Sequence, residues 1–159
     1  REAVKRPEQI WGEFIHRLLS GIGDARRFDR ATVEAAVAAQ WPEVEPLLAD
    51  GGYAASAAVA QVEAVLAHPL LQACFSGGYR IYNERELCLD GQVYRPDRVA
   101  IGENEVYVVD YKTGEARAEH VRQVEAYRDL LFRMAVKPVR AYIVYIGRHT
   151  VEVREVMAS

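Results

Sequence analysis

A chain of 159 residues, half of them apolar, is long enough for one compact domain with a sizeable core. Its 27% charged and 9% aromatic residues are those of an ordered protein, and a net charge of −3 argues against one that coats nucleic acid through bulk charge. No apolar run is long enough to span a bilayer and no charged-then-apolar leader opens the chain, so a soluble, cytoplasmic protein without a membrane partner is expected.

The start at Arg1 rather than Met suggests a processed chain or an excised domain. Cys74 and Cys88 make neither a zinc nor an iron–sulfur spacing and are expected as small buried apolar groups. Of the 20 basic residues only Lys5, Lys112 and Lys137 are lysines, and the other 17 are arginines. Where Arg is the default cation, a Lys asks for a reason, such as a compact ammonium on a flexible stem.

In chain order, residues 7–19 predict an amphipathic helix with Pro7 in its first turn. Ile10, Trp11, Phe14, Ile15, Leu18 and Leu19 form its stripe, and Gly12 and His16, four apart, sit at the margin. Residues 31–40 and 53–67 read as alanine-rich scaffold helices, stopped at Trp41-Pro42 and His68-Pro69. From residue 80 the pattern turns to strands. Arg80–Leu89 is the first, Asp90-Gly91 a tight turn, and Val93–Ile101 the second. After a turn at 102–104, Glu105–Tyr111 is a third strand whose run Val106–Val109 is apolar on both faces, hence central. Thr113-Gly114 ends it, 117–135 is a helix, Val139–Ile146 another buried strand, and Thr150–Val156 a short edge strand. This order predicts a single α/β (α+β mixed) domain over 1–159, with a mainly helical part at 1–79 and a mixed central sheet flanked by helices at 80–159.

Asp110 and Lys112 are two apart on the central strand, so they share a face with Val106 and Val108. A carboxylate and an ammonium at the end of a buried strand suffer desolvation unless they pair or bind something. A plain salt bridge would satisfy them. Asp97, after Pro96 on the preceding strand, shifts the balance, because the turn at 102–104 folds it back toward Asp110. Two carboxylates with a Lys beside them form an oxygen-rich cage for a hard divalent cation. The plainer alternative pairs Asp97 with Arg95 or Arg98 on an exposed strand face.

Arg95-Pro96-Asp97-Arg98, Val109-Asp110-Tyr111-Lys112-Thr113-Gly114 and Gln123-Val124-Glu125-Ala126-Tyr127 resemble successive motifs of the PD-(D/E)XK nucleases. The RecB-like branch, whose members include nuclease domains of RecB/AddA-type helicase-nucleases, also carries a helical Gly-x-x-x-His, and Gly12-Glu13-Phe14-Ile15-His16 matches it. A Glu on the first strand fits Glu84, with Glu86 as the alternative. The resemblance spans residues 12–127. It implies a restriction-endonuclease-like αβββαβ core with extra N-terminal helices. It implies His16, Asp97, Asp110 and the Tyr111 carbonyl as ligands of Mg²⁺ or Mn²⁺, and Lys112 as the water-activating residue. Gln123 and Tyr127 would orient the DNA strand or Lys112. The imidazole of His16 suits softer metals than Mg²⁺. Gly12 would let a strand or phosphate approach, and Arg128, inside the apolar arc of its helix, would pair with Glu84, snorkel outward or touch a phosphate.

The expected function is therefore a divalent-metal-dependent deoxyribonuclease, an exonuclease on single-stranded DNA in recombinational repair. A helicase motor in the same polypeptide or complex would be its partner. Departures from relatives are the missing four-cysteine iron–sulfur staple and the absence of a Gly-rich phosphate loop, which argues against ATP binding. The alternatives are a non-catalytic DNA-binding or docking module with a nuclease fold, and a free-standing endonuclease.

Overall fold

A computed structural model describes residues 4–48 and 51–157. Three helices come first, α1 (Pro7–Ser20), α2 (Arg30–Val44) and α3 (Ala55–Ala67). Then follow β1 (Arg80–Asn83), β2 (Leu87–Leu89), β3 (Gln92–Tyr94), β4 (Arg98–Ile101), β5 (Val106–Lys112), α4 (Ala118–Ala135), β6 (Val139–Ile146) and β7 (Val151–Val156). One five-stranded sheet has the order β1-β4-β5-β6-β7, and β2 and β3 form a separate hairpin. Neighbours in the large sheet are antiparallel except β5 and β6, which α4 connects in parallel. Without the hairpin, α1, β1, β4, β5, α4 and β6 give the αβββαβ order, a mixed α/β fold.

The two faces of β5 explain the layering. Tyr107, Val109 and Tyr111 pack with Trp11, Phe14, Ile15 and Leu18 of α1 and with residues of α2 and α3. Val106 and Val108 pack on the other face with Val124, Tyr127 and Leu131 of α4. Each such side chain, once fully buried, contributes about 1.5–3 kcal/mol before the entropy of ordering is subtracted. The strand is buried on both sides, which is why it reads as a continuous apolar run. Among the described residues no helix is long and apolar enough to cross a membrane.

Three sequence expectations need correction. The stretches Arg80–Leu89 and Val93–Ile101 are not single strands: each breaks in two, at 84–86 and 95–97. Glu84 takes a left-handed backbone, φ +52°, and Pro96 lies at the facing break, so the chain leaves the sheet and returns through the β2–β3 hairpin. Asp90 and Gly91, at φ +51° and +78°, make the expected tight turn at its tip. Pro42 does not stop α2, which runs on to Val44. Packing overrides the lost amide there, because Val44 and Leu48 are both buried in the α1 core. Cys74 is buried as expected, but Cys88 on the hairpin is exposed.

Arg98 ties the helical layer to the sheet. It is fully buried and donates to the carbonyls of Cys74 (2.8 Å), Leu19 (3.2 Å) and Ile22 (2.8 Å), with its guanidinium 3.9 Å from the Phe75 ring centroid. The Leu19 and Ile22 carbonyls lie at and just beyond the end of α1, where acceptors would otherwise go unpaired, and the Cys74 carbonyl lies in the turn before β1. α1 is thereby anchored beside β4.

Candidate active site

β4 begins at Arg98, paired with Val109, so β5 continues past its neighbour for three residues. The Asp97 side chain takes the place of the missing strand: its Oδ2 accepts the Tyr111 N–H at 2.8 Å. The N–H and C=O of one strand residue face the same edge, so the Tyr111 carbonyl opens toward this gap as well. Asp110 Oδ1 in turn accepts the Asp97 N–H at 3.4 Å. The two aspartates are thus fastened together, one through the Asp97 N–H and the other through the Tyr111 N–H that follows Asp110. Asp97 pairs with neither flanking arginine: Arg98 is buried among carbonyls, and Arg95 lies 3.9 Å from Glu84.

His16 reaches the same point from α1, with Nε2 3.9 Å from Asp97 Oδ1. Gly12, one turn earlier, makes this approach possible. A methyl there would overlap Cγ2 of Thr113, so the bare backbone lets α1 pack against the end of β5. Glu84 completes the group. Ligand atoms of His16, Glu84 and Asp97 lie within 4.8 Å of one another. The break after β1 is what turns the exposed Glu84 toward His16 and Asp97, and Glu86 is not part of the cluster.

On the α4 side, Lys112 Nζ lies 2.8 Å from Asp110 Oδ2 and donates to Gln123 Oε1 at 2.6 Å. Gln123 Nε2 donates to the Tyr127 hydroxyl at 3.0 Å, and that hydroxyl donates to the Arg95 carbonyl at 3.4 Å. The helical spacing of four sets Gln123 and Tyr127 one turn apart, so a single chain of hydrogen bonds runs from the ammonium to the segment carrying Asp97. Burial, and then the Asp110 and Asp97 charges, push the Tyr127 phenol up to about 12, which keeps it a donor. Arg128 is half-buried and makes no ion pair with Glu84, so nothing draws it into this cluster.

The electrostatics call for a cation. Burial, and next the neighbouring Asp110 carboxylate, push Asp97 up to about 8. Burial holds His16 below the ordinary imidazole value against the pull of Glu84 and Asp110, so its ring is neutral and keeps a lone pair. His16 Nε2 and Asp110 Oδ2 are buried without a hydrogen-bond partner; the 2.8 Å Lys112 contact is an ion pair outside hydrogen-bond geometry. One imidazole nitrogen, carboxylate oxygens and a backbone carbonyl on one edge fit a divalent cation, and Mn²⁺ better than the strictly oxygen-seeking Mg²⁺.

Sequence reading missed two neighbours. Arg98 follows Asp97 directly, and strand alternation alone would have sent it to the opposite, buried face. His120, three residues before Gln123 and so on the same side of α4, stands next to Lys112.

No curated protein matches the chain. Among solved structures, a candidate exonuclease from Eubacterium rectale matches with a TM-score of 0.52 at 12% identity, a likeness of fold alone. It is matched over 99% of this chain, which spans only 61% of its length. The protein SSO0001 matches at 23% identity over 64% of this chain and 56% of its own, with a TM-score of 0.33, too low to support an argument. The match to a family is complete. From residue 1 to 159 the sequence fits the PD-(D/E)XK nuclease superfamily, whose members generally use divalent metals, and the chain belongs to it.

Proposed function

We propose that the chain is a divalent-metal-dependent deoxyribonuclease that degrades single-stranded DNA from an end, inside the cell, in recombinational repair beside a helicase motor of the RecB/AddA type. His16, Glu84, Asp97 and Asp110, with the Tyr111 carbonyl, hold the cation, either Mg²⁺ or Mn²⁺. Bound there, the cation acidifies a water and neutralises charge building on a phosphate. Lys112 orients the attacking water with an ammonium N–H, and its positive charge eases that water's loss of a proton. Gln123 and Tyr127 hold the Lys112 ammonium at the acidic pair instead of letting it swing into solvent. Asp97 fixes the end of β5, so ligand and scaffold are the same residue.

The observation that carries this reading is the unpartnered His16 Nε2 converging with Glu84 and Asp97 beside the Asp110–Lys112 pair. A structural salt bridge would need neither the histidine nor the third acid. Asp97→Asn and Lys112→Ala are expected to lower cleavage of linear single-stranded DNA by at least about 100-fold, as loss of a catalytic group does, while leaving the circular dichroism spectrum unchanged. Calorimetry should show Mn²⁺ binding that Asp97→Asn abolishes and Lys112→Ala preserves. Cleavage by either variant at the parent rate defeats the assignment. A parent chain that binds no Mn²⁺ is a docking module, and one that opens a circular single strand is an endonuclease.

A further inference from the structure

Beside the acidic cluster, and continuous with it through His16 and Lys112, a cleft of about 360 Å³ runs between α1 and the start of α4. Thr113, Arg117 and His120 line its far wall. The motif residues account for the near end of this cleft and leave the far end without a task.

His120 is held there in a defined state. Its Nδ1 accepts the Arg117 N–H at 3.4 Å and lies 3.1 Å from the Tyr145 hydroxyl, and its ring packs on Tyr145 with centroids 5.7 Å apart. An Nδ1 that accepts a backbone N–H carries no proton, so the neutral ring is protonated on Nε2. Burial, and then the Lys112 ammonium, hold the ring below the ordinary imidazole value, and as the neutral tautomer it still offers an N–H. Arg117 is more than two-thirds exposed, and among the described residues its ionic contact is a 3.4 Å pairing with Glu119 on the open surface, which water competes for easily. Among the described residues of the cleft wall the one acid, Glu13, is matched by Lys5 at 2.9 Å. The cleft thus presents an uncharged N–H, a guanidinium and the nearby Lys112 ammonium, with its own acid neutralised. That donor set suits phosphate oxygens.

Resting on the nuclease reading above, we infer that this cleft binds a second phosphate of the substrate strand, next to the one at the acidic cluster, through His120 and Arg117. A chain of net charge −3 cannot hold a polyanion by bulk attraction, so its grip must be local, and this cleft supplies it. The phosphate is either an internal phosphodiester or a terminal phosphate at the strand end.

The test measures fluorescence anisotropy of a labelled single-stranded oligonucleotide with Ca²⁺ in place of Mg²⁺ or Mn²⁺, alongside kcat and KM for cleavage. Arg117→Ala and His120→Ala are each expected to weaken binding about 5- to 10-fold. KM should rise by the same factor while kcat stays within about threefold, and Mn²⁺ affinity should not change. In Arg117→Ala the slope of log K against log salt should become shallower by about 0.7, as for one lost single-strand phosphate contact, while in His120→Ala, which removes an uncharged donor, it should hold. Arg117 lies at the surface and its removal does not endanger the fold, so it decides the matter if His120→Ala melts early. Oligonucleotides with phosphate or hydroxyl ends separate the two sources: a penalty seen only with a terminal phosphate assigns the cleft to the strand end, and an equal penalty assigns it to an internal phosphodiester. Parent affinity and parent salt slope in Arg117→Ala, in a chain that binds and cuts, overturn the cleft and leave the nuclease reading intact. A parent chain that neither binds nor cuts overturns both.

Discussion

At Glu84 a side chain is kept where the backbone favours none. Its φ of +52° is the left-handed region, which costs a non-glycine residue on the order of 1–3 kcal/mol. A turn of this kind ordinarily selects Gly or Asn, and β2–β3 could hang from the sheet just as well with either. The strained residue is also the one whose carboxylate joins His16 and Asp97. Glu84→Gly should therefore move stability and function in opposite directions. The expected gain is about 0.5–1 kcal/mol in urea unfolding of the metal-free chain, with Mn²⁺ affinity reduced at least about 10-fold. A variant that gains stability and binds Mn²⁺ as the parent does would remove Glu84 from the ligand set. The choice between Glu84 and Glu86 was open in the sequence because it turns on this one dihedral angle, which no alternation pattern encodes.

Among the elements, α1 is the one whose position matters most to chemistry, since it alone brings His16 to the sheet. Two devices hold it: Gly12 against Thr113, and Arg98 beneath its C-terminal end. Arg98→Met fills much of the same volume but strands the Cys74, Leu19 and Ile22 carbonyls, each worth about 1–3 kcal/mol when left unpaired in the core. The expected loss in urea unfolding is at least about 3 kcal/mol, and Mn²⁺ affinity should fall with it as α1 loosens. Parent-like stability would show that water can take over the guanidinium's role. Much of this architecture is legible in the sequence: α1 and α4 from their apolar stripes, and β5 and β6 from runs apolar on both faces. Asp97, Asp110, Lys112, Gln123 and Tyr127, which the structure brings together, are singled out in the sequence by motifs in order that resemble the family's, not by any feature of the fold. The strand breaks at 84–86 and 95–97 and the passage of α2 through Pro42 are not legible, since both are decided by packing against distant residues. Arg98 lies between these cases. Strand parity placed it opposite Asp97, but a buried arginine with only neutral acceptors is rare enough that a surface ion pair reads as the simpler assignment.

For the molecule as a whole, the acidic cluster makes stability depend on pH and on metal together. Asp97 ordinarily titrates near 3.8 and is pushed up to about 8 by burial and by Asp110. Below the lower value both folded and unfolded chains carry the proton, and the group costs nothing. As the pH rises between the two values the unfolded chain releases it while the folded chain keeps it, so stability is lost through that window and is lowest above the upper one. His16 acts with the opposite sign. Its folded value is depressed below 6.5, so its contribution is present above 6.5 and is lost as the pH falls. Above 6.5 the contribution of His16, and of the likewise depressed His120, levels off, and Asp97 dominates the slope up to about 8. The melting temperature of the metal-free chain should fall across this interval, and Asp97→Asn should flatten the profile, since an amide has no proton to retain. A divalent cation competes with that proton and neutralises the carboxylate pair, so Mn²⁺ at 100 times its Kd should add about 2.7 kcal/mol and reverse the slope. A metal-free profile already flat from 6.5 to about 8 would mean that water screens Asp97 from Asp110, and with it the electrostatic case for a cation between them would fall.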